Sequence, residues 1–128
     1  MAAHRILSVG QCAFDHRSLS HDLAGRLNAE LVPADTFDDA LRALRAGGFD
    51  LVLVNRITDA DDSRGLDLIR TLKADPSLAS IPTMLVSDLS QAQADAVSLG
   101  ALPGFGKSSV RQPKTLAQVE AALGRVDG

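Results

Sequence analysis

Asn55, Ser87 and Lys107 each stand at the end of a short apolar run: "DLVLVN" (50–55), "PTMLVS" (82–87) and "ALPGFGK" (101–107). An amide, a hydroxyl and an ammonium gathered at one mouth could hold an anion. They could not pass a phosphoryl group along. That chemistry needs an oxygen nucleophile and a divalent metal to spread the charge of the transition state, and the amide of Asn55 has a delocalised lone pair. The first apolar run, "RILSVG" (5–10), delivers Gly10 and then Gln11 to its end. Neither is a carboxylate, and magnesium asks for carboxylate oxygens at close octahedral range. If Lys107 points into that mouth it must find an acid, shift its pKa or turn to water. Asp15, Asp59, Asp61, Asp62 and Asp88 are the candidates within loop reach.

Other chemistry-bearing stretches read as ordinary structure. "GALPGFGKSS" (100–109) imitates a nucleotide-binding loop, G-x-x-x-x-G-K-[ST], but Ala101 stands where the first glycine belongs. Pro113 also follows Lys107 too soon for the long helix such a loop opens. "TDADDSR" (58–64) lacks the spacing, central glycine and final glutamate of a calcium loop, and reads as a solvated acidic loop. Cys12, with His16 four residues on, has nothing to orient a nucleophilic pair and reads as a small residue at a turn. His4 and His21 have no metal-ligand spacing. No catalytic residue, metal site or cofactor is expected.

These residues need strands and helices in alternation to position them, and the hydrophobic pattern supplies that. Leu19, Leu23 and Leu27 lie on one helical face. "ELVPA" (30–34) is a strand whose Pro33 suits an edge. Thr36 opens a second helix with a stripe of Phe37, Leu41 and Leu44, stopped by Gly47 and Gly48. Residues 50–54 are apolar throughout, as in a strand covered on both faces. A third helix over 65–75 turns Leu66, Ile69 and Leu72 inward. Ser90 caps a fourth, and Pro113 begins a last one lined by Leu116, Val119 and Leu123. Five strand–helix pairs with short loops predict an α/β, doubly wound parallel sheet with helices on both faces, in one domain spanning residues 1–128. Ligands of such folds gather at the carboxyl ends of the strands.

The chain has 128 residues, 45% hydrophobic and 23% charged, which is enough to bury a core without a disulfide or metal. A net charge of −3 with no basic block argues against nucleic acid. No apolar run approaches a membrane span, the amino terminus lacks a signal-peptide pattern, and the single Cys12 suits a reducing compartment. A cytoplasmic location is expected.

The succession "GFDLVLVN" (48–55), "GLDLIRTLKADPSLASIPTMLVS" (65–87) and "LGALPGFGK" (99–107) resembles the receiver domain of two-component response regulators over nearly the whole chain. The resemblance implies a flavodoxin-like five-stranded sheet in the order 2-1-3-4-5. It also implies a phosphoryl switch, with an aspartate ending strand three, two acids after strand one, a Ser or Thr ending strand four and a lysine ending strand five. Ser87 and Lys107 match. Asn55 stands at the phosphoacceptor position, Gly10 and Gln11 at the acidic positions, and Gly104, followed by Phe105, at the switch aromatic.

The expectation is therefore a degenerate receiver, not an enzyme, that acts in signalling by phosphorylation-independent protein–protein contact. The alternatives are a switch phosphorylated at Asp59, Asp61 or Asp62, or a sensor holding an anion at Ser87 and Lys107. In the family, helix four, strand five and helix five often contact partners. Here that face would carry Gln91, Gln93, Asp95, Phe105, Lys114 and Gln118. Expected partners are a second copy, a histidine kinase or an effector domain, with neither nucleic acid nor membrane.

Overall fold

The computed structural model describes residues 4–127, with side chains through residue 124. Strands β1 (His4–Val9), β2 (Ala29–Ala34), β3 (Leu51–Asn55), β4 (Thr83–Val86) and β5 (Leu102–Phe105) form one parallel sheet in the order β2-β1-β3-β4-β5. The connecting helices are α1 (Ala13–Leu19), α2 (Phe37–Ala46), α3 (Gly65–Ala74), α4 (Ser90–Ser98) and α5 (Pro113–Asp127). The expected α/β architecture and strand order are those observed. Pro33 lies on β2, the edge strand, opposite Ser8.

Side chains alternate across each strand, and both faces are covered. Ile6, Leu51, Leu53, Met84 and Val86 pack with α1, the turn that follows it and α5 through Leu19, Leu23, Val119 and Leu123. Leu7, Val9, Val52, Val54 and Leu85 pack with α2, α3 and α4 through Leu44, Leu68, Ile69, Leu72 and Ala96. Each fully buried Leu or Ile contributes about 2 kcal/mol from the apolar surface it removes from water. Every residue from Leu51 to Val54 is inaccessible to solvent, which is why this strand reads as an unbroken apolar run.

Local details differ from the sequence expectation in physically simple ways. The first helix starts at Ala13, where Cys12 caps it: its Sγ accepts the Asp15 N–H at 3.4 Å. It then widens into a π-helical turn over Ser20–Ala24. Leu19, Leu23 and Leu27 all join the core on this side of the sheet. In α2, Ala40 and Leu44 are buried while Phe37 and Leu41 are only partly so; in α3, Leu68 is fully buried and Leu66 only partly. Leu116 is likewise half-buried, beside buried Val119 and Leu123. Thr36 caps α2 as expected, accepting from Asp39 N at 3.1 Å. Ser90 does not cap α4: Leu89 holds that position, and its N–H is taken by the Ser87 hydroxyl at 3.1 Å.

Candidate functional site

The strand order reverses between β1 and β3, so the mouth of the fold lies at their carboxyl ends, with those of β4 and β5 alongside. Gly10 leaves β1 at φ +77, a backbone conformation open chiefly to glycine. Its carbonyl takes two donors: Asp59 N at 2.9 Å and Asn55 Nδ2 at 3.3 Å. Asn55 gives its other amide proton to Ile57 O at 2.6 Å. The side chain at the end of β3 thus works as a double donor that ties β1, β3 and the following loop together. A carboxylate has no proton to give in that position and would face two carbonyl oxygens.

The loop after Asn55 is more ordered than a solvated acidic loop. Ile57 and Arg64 bridge in antiparallel fashion, Thr58 N donates to Ser63 O at 2.8 Å, and Asp62 N donates to Thr58 O at 3.0 Å. Thr58 is wholly buried beneath this hairpin. Its hydroxyl accepts from Ser63 N at 2.8 Å and donates to the Asp61 carboxylate. The bonds from Thr58 and Ser63 hold the Asp61 carboxyl below its ordinary pKa. Thr58 also presses on Gly10: a Cβ at position 10 would lie 2.7 Å from Thr58 Cγ2 and 3.0 Å from its Cα.

The residues present do not fit a magnesium cage of the kind the resemblance implies. The space for a side chain at position 10 is filled by Thr58. Gln11 is 6% exposed, and neither its amide nitrogen nor its amide oxygen has a partner. Asn55 offers protons to its neighbours, not anionic oxygens. Among the described residues, no group of three or more His, Cys, Asp or Glu is placed to hold a metal ion.

Lys107, just past β5, crosses the mouth to the first turn of α1, where Nζ donates to Asp15 Oδ2 at 2.6 Å. That bond is the main cause of an Asp15 carboxyl held below its usual pKa, against the opposing effect of burial. Ser87 carries a half-buried hydroxyl, and Asp88 accepts from Ser108 Oγ at 2.6 Å. Asn55, Ser87 and Lys107 do come together: with Arg56, Asp88 and Leu89 they line one cavity of about 380 Å³. Gly10 and Gln11 do not line it.

The residues expected on a partner face differ in exposure. Gln91, Asp95 and Lys114 are exposed, and Gln118 is half-buried, donating to Pro103 O and Gly104 O. Phe105 is 4% exposed and belongs to the core, so it offers nothing to a partner. Gln93 is also turned inward. Between Met84↔Leu102 and Val86↔Phe105 the register slips, so that Pro103 and Gly104 oppose one residue of β4. Gln93 fills the gap: Nε2 donates to Leu85 O at 2.8 Å and Ser87 O at 3.0 Å, and Oε1 accepts from Gly104 N at 3.0 Å. Gly104 is required there, because a Cβ would fall 2.1 Å from Leu85 O. The bulge signal was present in the Pro103–Gly104 pair; the residue that closes it comes from a separate helix and has no local signature.

No family model matches the sequence. Solved structures do resemble this one. A response regulator from Thermotoga maritima superimposes with a TM-score of 0.76 at 18% identity, over 95% of this chain and 98% of that one. The receiver domain of the Francisella response regulator 1452 gives 0.79 at 13% identity, over 96% and 98%. The chemotaxis response regulator CheY4 of Vibrio cholerae gives 0.69 at 15% identity, over 97% and 98%. Five parallel strands in this order, with these neighbours, give the chain the fold of response-regulator receiver domains.

Proposed function

We propose that this chain is a receiver-fold signalling module that takes no phosphoryl group and acts by binding protein. The observation that carries the reading is Asn55 spending both amide protons on backbone carbonyls while Thr58 fills the space beside Gly10. Hydrogen bonds to Gly10 O and Ile57 O tie the ends of β1 and β3 together, and Asn55 offers protons there, not anionic oxygens. Partners of the kinds the fold family uses, a histidine kinase, an effector domain or a second copy, would meet Gln91, Asp95, Lys114 and Gln118 on the α4–β5–α5 face. A net charge of −3 does not suit nucleic acid, and among the described residues no helix is long and apolar enough to cross a membrane.

The two rival readings are less well supported. Phosphorylation of a loop aspartate has no metal-holding group to assist it among the described residues. Anion sensing would draw on Lys107, whose ammonium is already met by Asp15. Incubation with acetyl phosphate and Mg²⁺, followed by intact mass measurement, tests the proposal. The expected result is no mass change, and a stable gain of one phosphoryl group would overturn it.

A further inference from the structure

A second hollow of about 380 Å³ adjoins the mouth, between the β3–α3 loop and α4. Ile57, Leu66, Leu89 and Ala92 give it an apolar floor, and Leu89 is 54% exposed there. Arg56 and Arg64 stand on its loop wall. Both are exposed, and neither guanidinium has a hydrogen-bond or ion-pair partner among the described residues. The acid on the opposite wall, Asp95, is occupied by Gln91 Nε2 at 3.0 Å. So a chain of net charge −3 presents here two unanswered arginines beside an exposed leucine.

We infer that this groove docks an acidic segment of a partner protein, with one bulky apolar side chain on the Leu66–Leu89 floor and carboxylates on Arg56 and Arg64. Guanidinium groups grip carboxylates in two-point fashion. A solvated apolar side chain at the centre of a charged rim is the usual anatomy of an anchor site. A nucleic acid is the poorer occupant, because the floor is aliphatic and has no aromatic ring on which a base could stack. The inference rests on the reading of the chain as a protein-binding module. It adds the hollow between the β3–α3 loop and α4, which shares Gln91 and Asp95 with the α4–β5–α5 face.

The test is a nuclear magnetic resonance titration of the isotope-labelled full chain with the synthetic peptide Glu-Asp-Leu-Phe-Glu-Asp. Two further peptides serve as controls, one with serines replacing Leu-Phe and one with Lys and Arg replacing the acids. The acidic apolar peptide is expected to shift amides of Arg56, Ile57, Leu66, Leu89 and Gln91, with both controls much weaker. Arg56→Glu/Arg64→Glu should weaken binding by at least about tenfold, and Leu89→Ala by several-fold, with the rest of the spectrum unchanged. The inference is overturned if these amides do not move, if the serine peptide binds equally well, or if the double variant binds like the parent. A single-stranded oligonucleotide that binds the same residues more tightly would also overturn it. None of these results bears on whether the chain takes a phosphoryl group, so the two proposals fail separately.

Discussion

Thr58 stands against Gly10, its Cγ2 2.7 Å from where a Cβ on that glycine would be. A side chain at position 10 therefore meets both this contact and an unfavourable φ of +77. Gly10→Ala should destabilise the chain by about 1–3 kcal/mol, and Gly10→Asp by at least as much. Urea unfolding of the two variants checks this. A neutral Gly10→Asp would mean that the loop yields readily and the mouth is not closed by packing.

Asn55→Asp replaces a double donor with an acceptor facing Gly10 O and Ile57 O. The loss of both bonds should lower stability by about 1–3 kcal/mol. On the proposed reading, an acid at position 55 alone should not confer phosphoryl uptake from acetyl phosphate with Mg²⁺, because positions 10 and 11 supply no carboxylate. Intact mass and denaturant midpoints read the two effects independently.

The link from Lys107 to Asp15 makes a small part of the stability depend on pH. The folded Asp15 carboxyl is depressed below its usual 3.8, so its contribution is complete above that value. It is lost as pH falls through the folded value. Lys107 is 40% exposed and Asp15 27%, so solvent screening keeps the contribution to at most about 1 kcal/mol. Asp15→Asn should be less stable than the parent near neutrality, and the gap should close in acid. Urea midpoints for both chains across the acid range would show it.

Gln93→Ala removes the side chain that satisfies Leu85 O, Ser87 O and Gly104 N at the β4–β5 bulge. Leaving these backbone groups without partners should cost about 1–3 kcal/mol. Amide exchange should accelerate first at Gly104 and Ser87. An unchanged exchange pattern would mean that water replaces the amide without loss.

Much of this architecture was legible in the sequence because it rests on patterns that act locally. The unbroken apolar run 51–54 announced a strand covered on both faces, and Thr36 and Gly47 marked where α2 starts and stops. Asn55, Ser87 and Lys107 line one cavity because each ends a strand or follows one closely, whereas Gly10 and Gln11, expected beside them, do not. What escaped depends on residues distant in sequence. Lys107 finds Asp15 across 92 positions, one of five acids that all looked equally available. Thr58 looked like part of a solvated stretch, yet its burial arises from the hairpin that folds over Gly10. Phe105 and Gln93 were assigned to an outer face by analogy, whereas the bulge in β5 turns one into the core and the other into a plug.

A switch requires two arrangements of nearly equal free energy, so that a small input tips the balance. The knot at Gly10 O, which Asn55 and Asp59 both tie, deepens the arrangement seen here relative to any other. On the proposed reading, whatever engages this module finds it always ready. Signal strength is then set by how many copies the cell keeps, not by how many have been modified.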